Sequence, residues 1–395
     1  MRFRSTRFAL ALVFLPGCAD DGGAGTGGDA SADATMVAEA TLDETLVEVL
    51  ADATAHPTET SAGELITPAE TMPAETEGPC GFGTLKGVVC APSGLEYVAD
   101  ATISVDAIGC NGESVHAATQ SGPAGAYTLT DIPSGTVTVR VTKGAYETSF
   151  VVQIVAGQTK DISGAGEKRC FGANSARIAV VEGTHDRIGE FLDQLGFAHT
   201  DFSDTGGEFS DGAAFLASPT AMADFDIIFL NCSKRIDAMV DADPTISDHL
   251  RDFVMAGGSF YASDWAYAYE DPAFPSAIDF HGTDTNPAKE TGPKYGLAGT
   301  YTGTVTDPAL AAALGKATVS IAFNYGTWAF IEATSSDVTT HVTGDLGDDG
   351  HTVPLIVSFK PGPGKGGRVV FTSFHNEEQA TEDMGRILKY FVLAL

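Results

Sequence analysis

Positive charge is scarce in this sequence: 22 Lys and Arg stand against 53 Asp and Glu, for a formal net charge of −31. A chain with that field repels phosphate backbones and anionic headgroups, which excludes nucleic-acid binding and a polybasic membrane-surface role. Long apolar runs are also missing near the start. The stretch Phe8–Leu15 has eight residues, against roughly 20 for a helix that spans a bilayer. No CxxC pair and no Cys/His zinc spacing occurs, and no two candidate ligands sit at a recognised metal interval, so neither a metal nor a cofactor is expected. The run "GPGKGG" lacks the GK[ST] ending of a phosphate loop and reads as a hairpin turn. Only Trp265 and Trp328 supply indoles, and both read as core or rim aromatics.

What is present begins with an address. Arg2, Arg4 and Arg7 precede the apolar run, which ends in Leu15-Pro16-Gly17-Cys18, the layout of a secretory signal over 1–18. Leu15, Gly17 and Cys18 resemble the lipobox of bacterial lipoproteins. The resemblance implies a lipid on Cys18, membrane attachment through that lipid, and a place in the cell envelope, on the periplasmic face or the cell surface. Several acyl chains anchor stably because each buried CH₂ contributes about 0.8 kcal/mol. Residues 19–79 hold fourteen Asp or Glu and no Lys or Arg. With almost nothing to bury, they read as a disordered acidic tether.

From Cys80 the pattern changes. "TLKGVVCA", "ATISVDAI", "ESVHAAT", "GAYTLTDIP", "GTVTVRVT" and "TSFVVQIV" are short β-rich segments separated by turn residues. Val137, Val139 and Val141 alternate, so they face one side. Gly125, Tyr127, Leu129, Ile132, Pro133, Gly135 and Gly144 resemble the pattern of a carboxypeptidase regulatory-like domain. That resemblance implies a transthyretin-like sandwich over 80–170, a module without catalytic residues. Cys80, Cys90, Cys110 and Cys170 lie in or beside it, which points to two disulfides in an oxidising compartment, with three connectivities open.

After Cys170 buried-strand runs alternate with helical periods: "ARIAVVEG", "DRIGEFLDQLGF", "FDIIFLNCS", "TISDHLRDFVMAGG" and "SFYASDWAY". The expected fold is therefore multi-domain. An all-β sandwich precedes a three-layer α/β (flavodoxin-like) domain over 175–395, with a mostly parallel sheet and a last helix from about Glu378. Ligands of such sheets gather at the carboxyl ends of the strands. Those ends carry Glu182-Gly183, Asn231-Cys232-Ser233, Ser263-Asp264-Trp265 and His375-Asn376-Glu377.

"ARIAVVEG", "DIIFLNCS", "FVMAGGSFYASDW" and "GKGGRVVFTSFHNEEQ" resemble the class I glutamine amidotransferase-like superfamily, trehalose-utilisation-type proteins included. In that superfamily a Cys stands at a strand-to-helix elbow and a later His-x-Glu assists it; the carboxylate orients the imidazole, which takes the thiol proton. His375 and Glu377 match. The elbow Ala262-Ser263-Asp264-Trp265-Ala266 does not, because Asp264 holds the nucleophile position. Cys232 lies one strand earlier and reads as a buried thiol. The resemblance thus implies a degenerate domain. Beside a purely structural surface spacer, in which His375 caps or packs at the sheet edge and Glu377 favours the dipole of the last helix, two readings stay open. One is a non-catalytic binding or scaffolding protein of the envelope, with a pocket of Asp264, Trp265, His375 and Glu377 for a carbohydrate or an envelope protein, and with Tyr267 or His281 as further candidates. The other is a hydrolase of carbohydrate or amide-containing substrates acting through Asp264 or Ser263 with His375.

Overall fold

The computed structural model describes residues 80–203, 211–234, 236–286, 289–291, 295–345, 352–362, 366–375 and 381–395, with backbone alone within 283–291. The signal, Cys18, the tether and Glu377 lie outside the described residues.

The first part is built of strands only. These are β1 (Phe82–Cys90), β2 (Thr102–Ile108), β3 (Ser114–Gln120), β4 (Ala126–Pro133), β5 (Gly135–Lys143), β6 (Tyr146–Ile154), β7 (Thr159–Asp161) and β8 (Arg169–Cys170). They form two sheets, β4-β1-β7 with β8 also on β1, and β3-β2-β5-β6. All six segments read from the sequence become strands. Their period of two is explained by a common core, into which Leu85, Tyr127, Leu129, Val137, Val139 and Val141 are buried. Of the three connectivities, the chain takes Cys80–Cys110 and Cys90–Cys170; the second joins β1 to β8, where the two cysteines are register partners.

The second part begins with β9 (Ile178–Val181), α1 (Ile188–Leu195), β10 (Thr200–Phe202), α2 (Asp211–Leu216), α3 (Pro219–Met222), β11 (Ile227–Leu230), α4 (Ile236–Ala242), α5 (Thr245–Met255) and β12 (Ser259–Ser263). A 3₁₀ turn, Asp264–Ala266, leads into α6 (Tyr267–Ala273). Three short strands follow, β13 (Ile278–Phe280), β14 (Thr283–Asn286) and β15 (Lys289–Thr291). The rest comprises β16 (Gly299–Val305), α7 (Pro308–Leu314), β17 (Thr318–Phe323), β18 (Ile331–Thr334), β19 (Thr339–Asp345), β20 (Thr352–Phe359), β21 (Val369–Thr372) and α8 (Glu382–Val392).

One nine-stranded sheet organises this part, in the order β10-β9-β11-β12-β21-β20-β19-β16-β17. The first five strands are parallel and the remaining pairings are antiparallel. The sheet is therefore mixed in equal halves, which corrects the mostly parallel expectation. The reason is connection length. β19 to β20 leaves six residues and β20 to β21 nine, too few for the crossover that parallel neighbours need. Both faces of the parallel half are covered. Ile178, Val180, Ile227, Phe229 and Val370 join the core that holds α1 and α8, while Ala179, Val181, Ile228, Leu230 and Phe371 join the one that holds α2, α4 and α5. Three layers follow from that alternation, and so do the unbroken apolar runs "IAVV" and "IIFL". The last helix starts at Glu382, later than expected. Thr381 caps it, its hydroxyl accepting from the Met384 amide at 3.2 Å.

The two parts share one hydrophobic core running from Leu85 to Leu395. At the seam the buried Tyr146 hydroxyl donates to the Val392 carbonyl at 2.9 Å, and the Ala145 amide donates to the Leu395 carbonyl at 2.9 Å. Gly144, at φ +56°, lets these chains meet: a Cβ there would stand 2.3 Å from the Leu395 carbonyl oxygen.

Candidate functional site

The parallel strands β10, β9, β11, β12 and β21 run second, first, third, fourth and fifth in chain order, so the direction of winding switches between β9 and β11. A crevice forms outside the carboxyl ends of strands at such a point. Gly183, just past β9, makes the local approach possible. A Cβ on it would lie 2.2 Å from the Cys232 carbonyl oxygen and 2.9 Å from the Asn231 Cβ. With that space free, the loop after β9 closes over β11, and the His185 amide donates to the Cys232 carbonyl at 3.2 Å.

Asp264 stands where β12 ends. Its φ is +46°, a left-handed backbone that only Gly, Asn and Asp visit readily. A residue at positive φ between a strand and a helical turn is an elbow, and Asp264 tips it. Asp264 is 4% exposed, and both of its carboxylate oxygens have partners. Oδ1 accepts the Ala329 amide at 2.7 Å. Oδ2 accepts the Cys232 thiol at 3.6 Å and lies 3.3 Å from His375 Nδ1. The Ala329 donor arrives on a loop with its own outlier, Thr327 at φ +65°, whose carbonyl accepts the Trp265 indole N–H at 2.8 Å. Two strained residues on facing segments thus converge, the pattern expected where geometry serves a site.

Cys232, Asp264 and His375 come from the tips of β11, β12 and β21, and all three are buried. One donor atom from each lies within 4.8 Å of the other two. Asp186, also buried, braces the group from behind: its Oδ2 accepts the Cys232 amide at 2.8 Å and the Ser263 hydroxyl. Burial first, then the carboxylates of Asp264 and Asp186, pushes the Cys232 thiol well above its ordinary value, so in the isolated chain it stays protonated. At the rim, the rings of His185 and Tyr325 lie 5.6 and 5.9 Å from that of His375, and Tyr325 is half exposed. Two buried polar atoms on residues close in the chain to Cys232 and His375, Asn231 Oδ1 and Ser373 Oγ, have no hydrogen-bond partner among the described residues.

Of the sequence candidates, Asp264 and His375 are brought together. Trp265 borders them through the Thr327 carbonyl. Ser263 is fully buried and its single proton goes to Asp186, so it is not placed for activation by His375. Tyr267 donates to Asp237 at 2.9 Å, and His281 pairs with Glu332 against the Tyr295 ring. Trp328 packs in the core against Phe323. Glu182 is exposed. Sequence reasoning passes over Asp186, His185, Tyr325 and the Ala329 amide, and gives Cys232 no part in the site. Asp186 and His185 lie a few residues past the β9 tip, so extending the strand-end rule from "EG" to "EGTHD" finds them. Tyr325 and Ala329 lie on a loop with no motif.

A second chain of polar groups lies at the opposite end of the sheet. Asp307 Oδ2 is 2.7 Å from His341 Nδ1, and His341 Nε2 is 2.8 Å from the Ser358 hydroxyl. Ser358 lies within a regular strand rather than an elbow, and Asp307 also caps α7 through the Ala309 amide. Here the three residues fasten β19, β20 and the start of α7.

No family model matches the chain, and no curated protein matches it. Among solved structures it is similar to a ThuA-like protein of Bacteroides uniformis, with 10% identity and a TM-score of 0.36 over 55% of this chain and 90% of that one. It is similar to a GMP synthase protein of Thermoplasma acidophilum, with 11% identity and a TM-score of 0.37 over 55% and 94%. A glutamine amidotransferase of Thermotoga maritima gives 9% identity and a TM-score of 0.34 over 50% and 75%. At these scores the likeness is loose and identifies no family.

Proposed function

We propose that this chain is an exported envelope protein, held to the membrane by a lipid on Cys18, whose α/β part binds a small ligand at the strand tips around Asp264 without glutaminase chemistry. One observation carries the binding reading: the elbow residue is an aspartate, buried and hydrogen-bonded to three partners from different segments. A pre-positioned carboxylate beside an imidazole, with aromatic rings at its rim, suits a polyhydroxylated ligand. Sugar hydroxyls donate to carboxylates and sugar faces pack on rings. An envelope protein is the other ligand class in view. A thiol-based amide hydrolysis is disfavoured because no sulfur stands at the elbow.

The 3.3 Å approach of His375 to Asp264 keeps a second reading. In it, the same carboxylate and imidazole hydrolyse a carbohydrate or amide-containing envelope substrate as a general acid–base pair. Ser263 takes no part there, since its proton is committed to Asp186.

Melting curves of the full chain against a panel of sugars and nucleotides test the binding reading. The expected result is a ligand-induced rise that Asp264→Asn abolishes; equal shifts in both proteins, or none in either, reject it. Product formation from a shifting ligand would select the hydrolase. Palmitate incorporation lost in Cys18→Ala tests the anchor, and unlipidated wild-type protein in the medium rejects it.

A further inference from the structure

We propose that Cys232, Asp264 and His375 form a site for a single Zn²⁺-class divalent ion, with one coordination position left for water or an oxygen-donor ligand. The proposal rests on the reading of the strand tips as a ligand site and names what the cluster holds there.

Distances carry it first. Zinc takes thiolate sulfur at about 2.3 Å and imidazole nitrogen or carboxylate oxygen at about 2.0–2.1 Å, in a tetrahedron. Those bond lengths require a sulfur–oxygen edge of about 3.5 Å and a nitrogen–oxygen edge of about 3.3 Å. The observed edges are 3.6 Å from Cys232 Sγ to Asp264 Oδ2 and 3.3 Å from His375 Nδ1 to the same oxygen. All three donor atoms lie within 4.8 Å of one another. One sulfur, one nitrogen and one oxygen are also the donor mixture that suits zinc more than magnesium or calcium.

The surroundings hold each donor in place, as metal sites require. The Ala329 amide fixes the second Asp264 oxygen. The Trp265 amide donates to the Cys232 sulfur, and Asp186 accepts the Cys232 amide. A thiolate and a carboxylate buried side by side would repel without a cation between them, and a divalent ion removes that cost. Asn231 and Ser373, one and two positions before Cys232 and His375 in the chain, also hold buried side-chain oxygens without a hydrogen-bond partner among the described residues, and such groups call for water or an ion. Binding needs no redox change. The ion takes the place of the Cys232 thiol proton, which leaves to solvent, and meets the neutral imidazole at Nδ1, whose ring proton then sits on Nε2.

The test is a cobalt titration of the full chain after chelator treatment and dialysis. One equivalent of Co²⁺ should bring up a sulfur-to-cobalt charge-transfer band and the intense visible bands of tetrahedral cobalt, and Zn²⁺ should displace both. Cys232→Ser should abolish the charge-transfer band. His375→Gln should keep a sulfur band but weaken affinity on the order of 100-fold or more, which serves if Cys232→Ser does not fold. A natively folded wild type that develops no band at millimolar Co²⁺ overturns the proposal. A band of equal strength in Cys232→Ser overturns it too, by assigning the sulfur elsewhere. No cobalt signal together with a sugar shift that depends on Asp264 would remove the metal and leave the binding reading. Loss of both would remove both.

Discussion

Replacing Asp264 tests whether the elbow carboxylate is structurally engaged as its contacts imply. Asp264→Ala removes the acceptor of the Ala329 amide, whose residue is fully buried, and the partners of Cys232 and His375. An orphaned buried donor costs about 1–3 kcal/mol. The thiol and imidazole add less, because deleting a buried carboxylate also removes its desolvation cost. Alanine at φ +46° adds strain of about 1 kcal/mol that aspartate lessens by local hydrogen bonding. The net expectation is a loss of about 2–4 kcal/mol for Asp264→Ala. Asp264→Gly, free of the φ penalty, should recover about 1 kcal/mol relative to Asp264→Ala. Asp264→Asn keeps an oxygen for Ala329 and tolerates positive φ, so it should stay within about 1–2 kcal/mol of wild type. Guanidinium unfolding in EDTA, with disulfides intact, reads these as midpoint changes at constant slope. Wild-type stability in Asp264→Ala, or equal values for Ala and Gly, would refute the reasoning.

Three further perturbations have definite outcomes. Gly183→Ala drives a Cβ into the Cys232 backbone, which cannot swing aside as a side chain can; a loss of about 3 kcal/mol or more is expected by denaturation, and an unchanged midpoint would contradict the packing of β9 on β11. Burial holds His341 below its ordinary value of 6.5, so below about that pH the unfolded chain binds the proton first. Its contribution is then fully present above pH 6.5 and lost as pH falls, at up to about 1.4 kcal/mol per unit; His341→Gln should flatten the melting temperature between pH 6.5 and 5, and an unaltered slope would count against it. Opening Cys80–Cys110, which spans 30 residues, should cost about 3.6 kcal/mol and opening Cys90–Cys170, which spans 80, about 4.5 kcal/mol in the chain-entropy account; non-reducing peptide maps with any other pairing would refute the assignment.

Much of the fold is legible in the sequence because the signals are local. Six strands of the first part follow from period-two patterns such as Val137-Val139-Val141, and the runs "IAVV" and "IIFL" announce strands covered on both faces. The hairpin that joins β20 to β21 is legible in its Gly/Pro/Lys turn; what escapes is the antiparallel run beyond it, since Gly299–Val305 and Thr339–Asp345 carry no mark of direction. The shared core is hidden for a similar reason, because Tyr146 and Val392 meet across 246 positions. In the site, Asp264 and His375 are found by the rule that strand tips gather ligands, and the elbow is read from its small neighbours. Cys232 is underestimated because a buried thiol suggests inertness, whereas here burial sets it against Asp264. Metal spacing is silent by construction: residues 232, 264 and 375 come from three strands, and no interval along the chain joins them.

At the centre stands the claim that the strand tips close a binding site around a carboxylate, with Cys232 a buried sulfur facing it and not an activated nucleophile. Iodoacetamide labelling of the native full chain at neutral pH, resolved by peptide mapping, tests this most directly. Cys232 should remain unmodified over a period that labels it completely in denaturant. Rapid stoichiometric modification in the folded chain, faster than that of free cysteine, would reveal an activated nucleophile and contradict the claim.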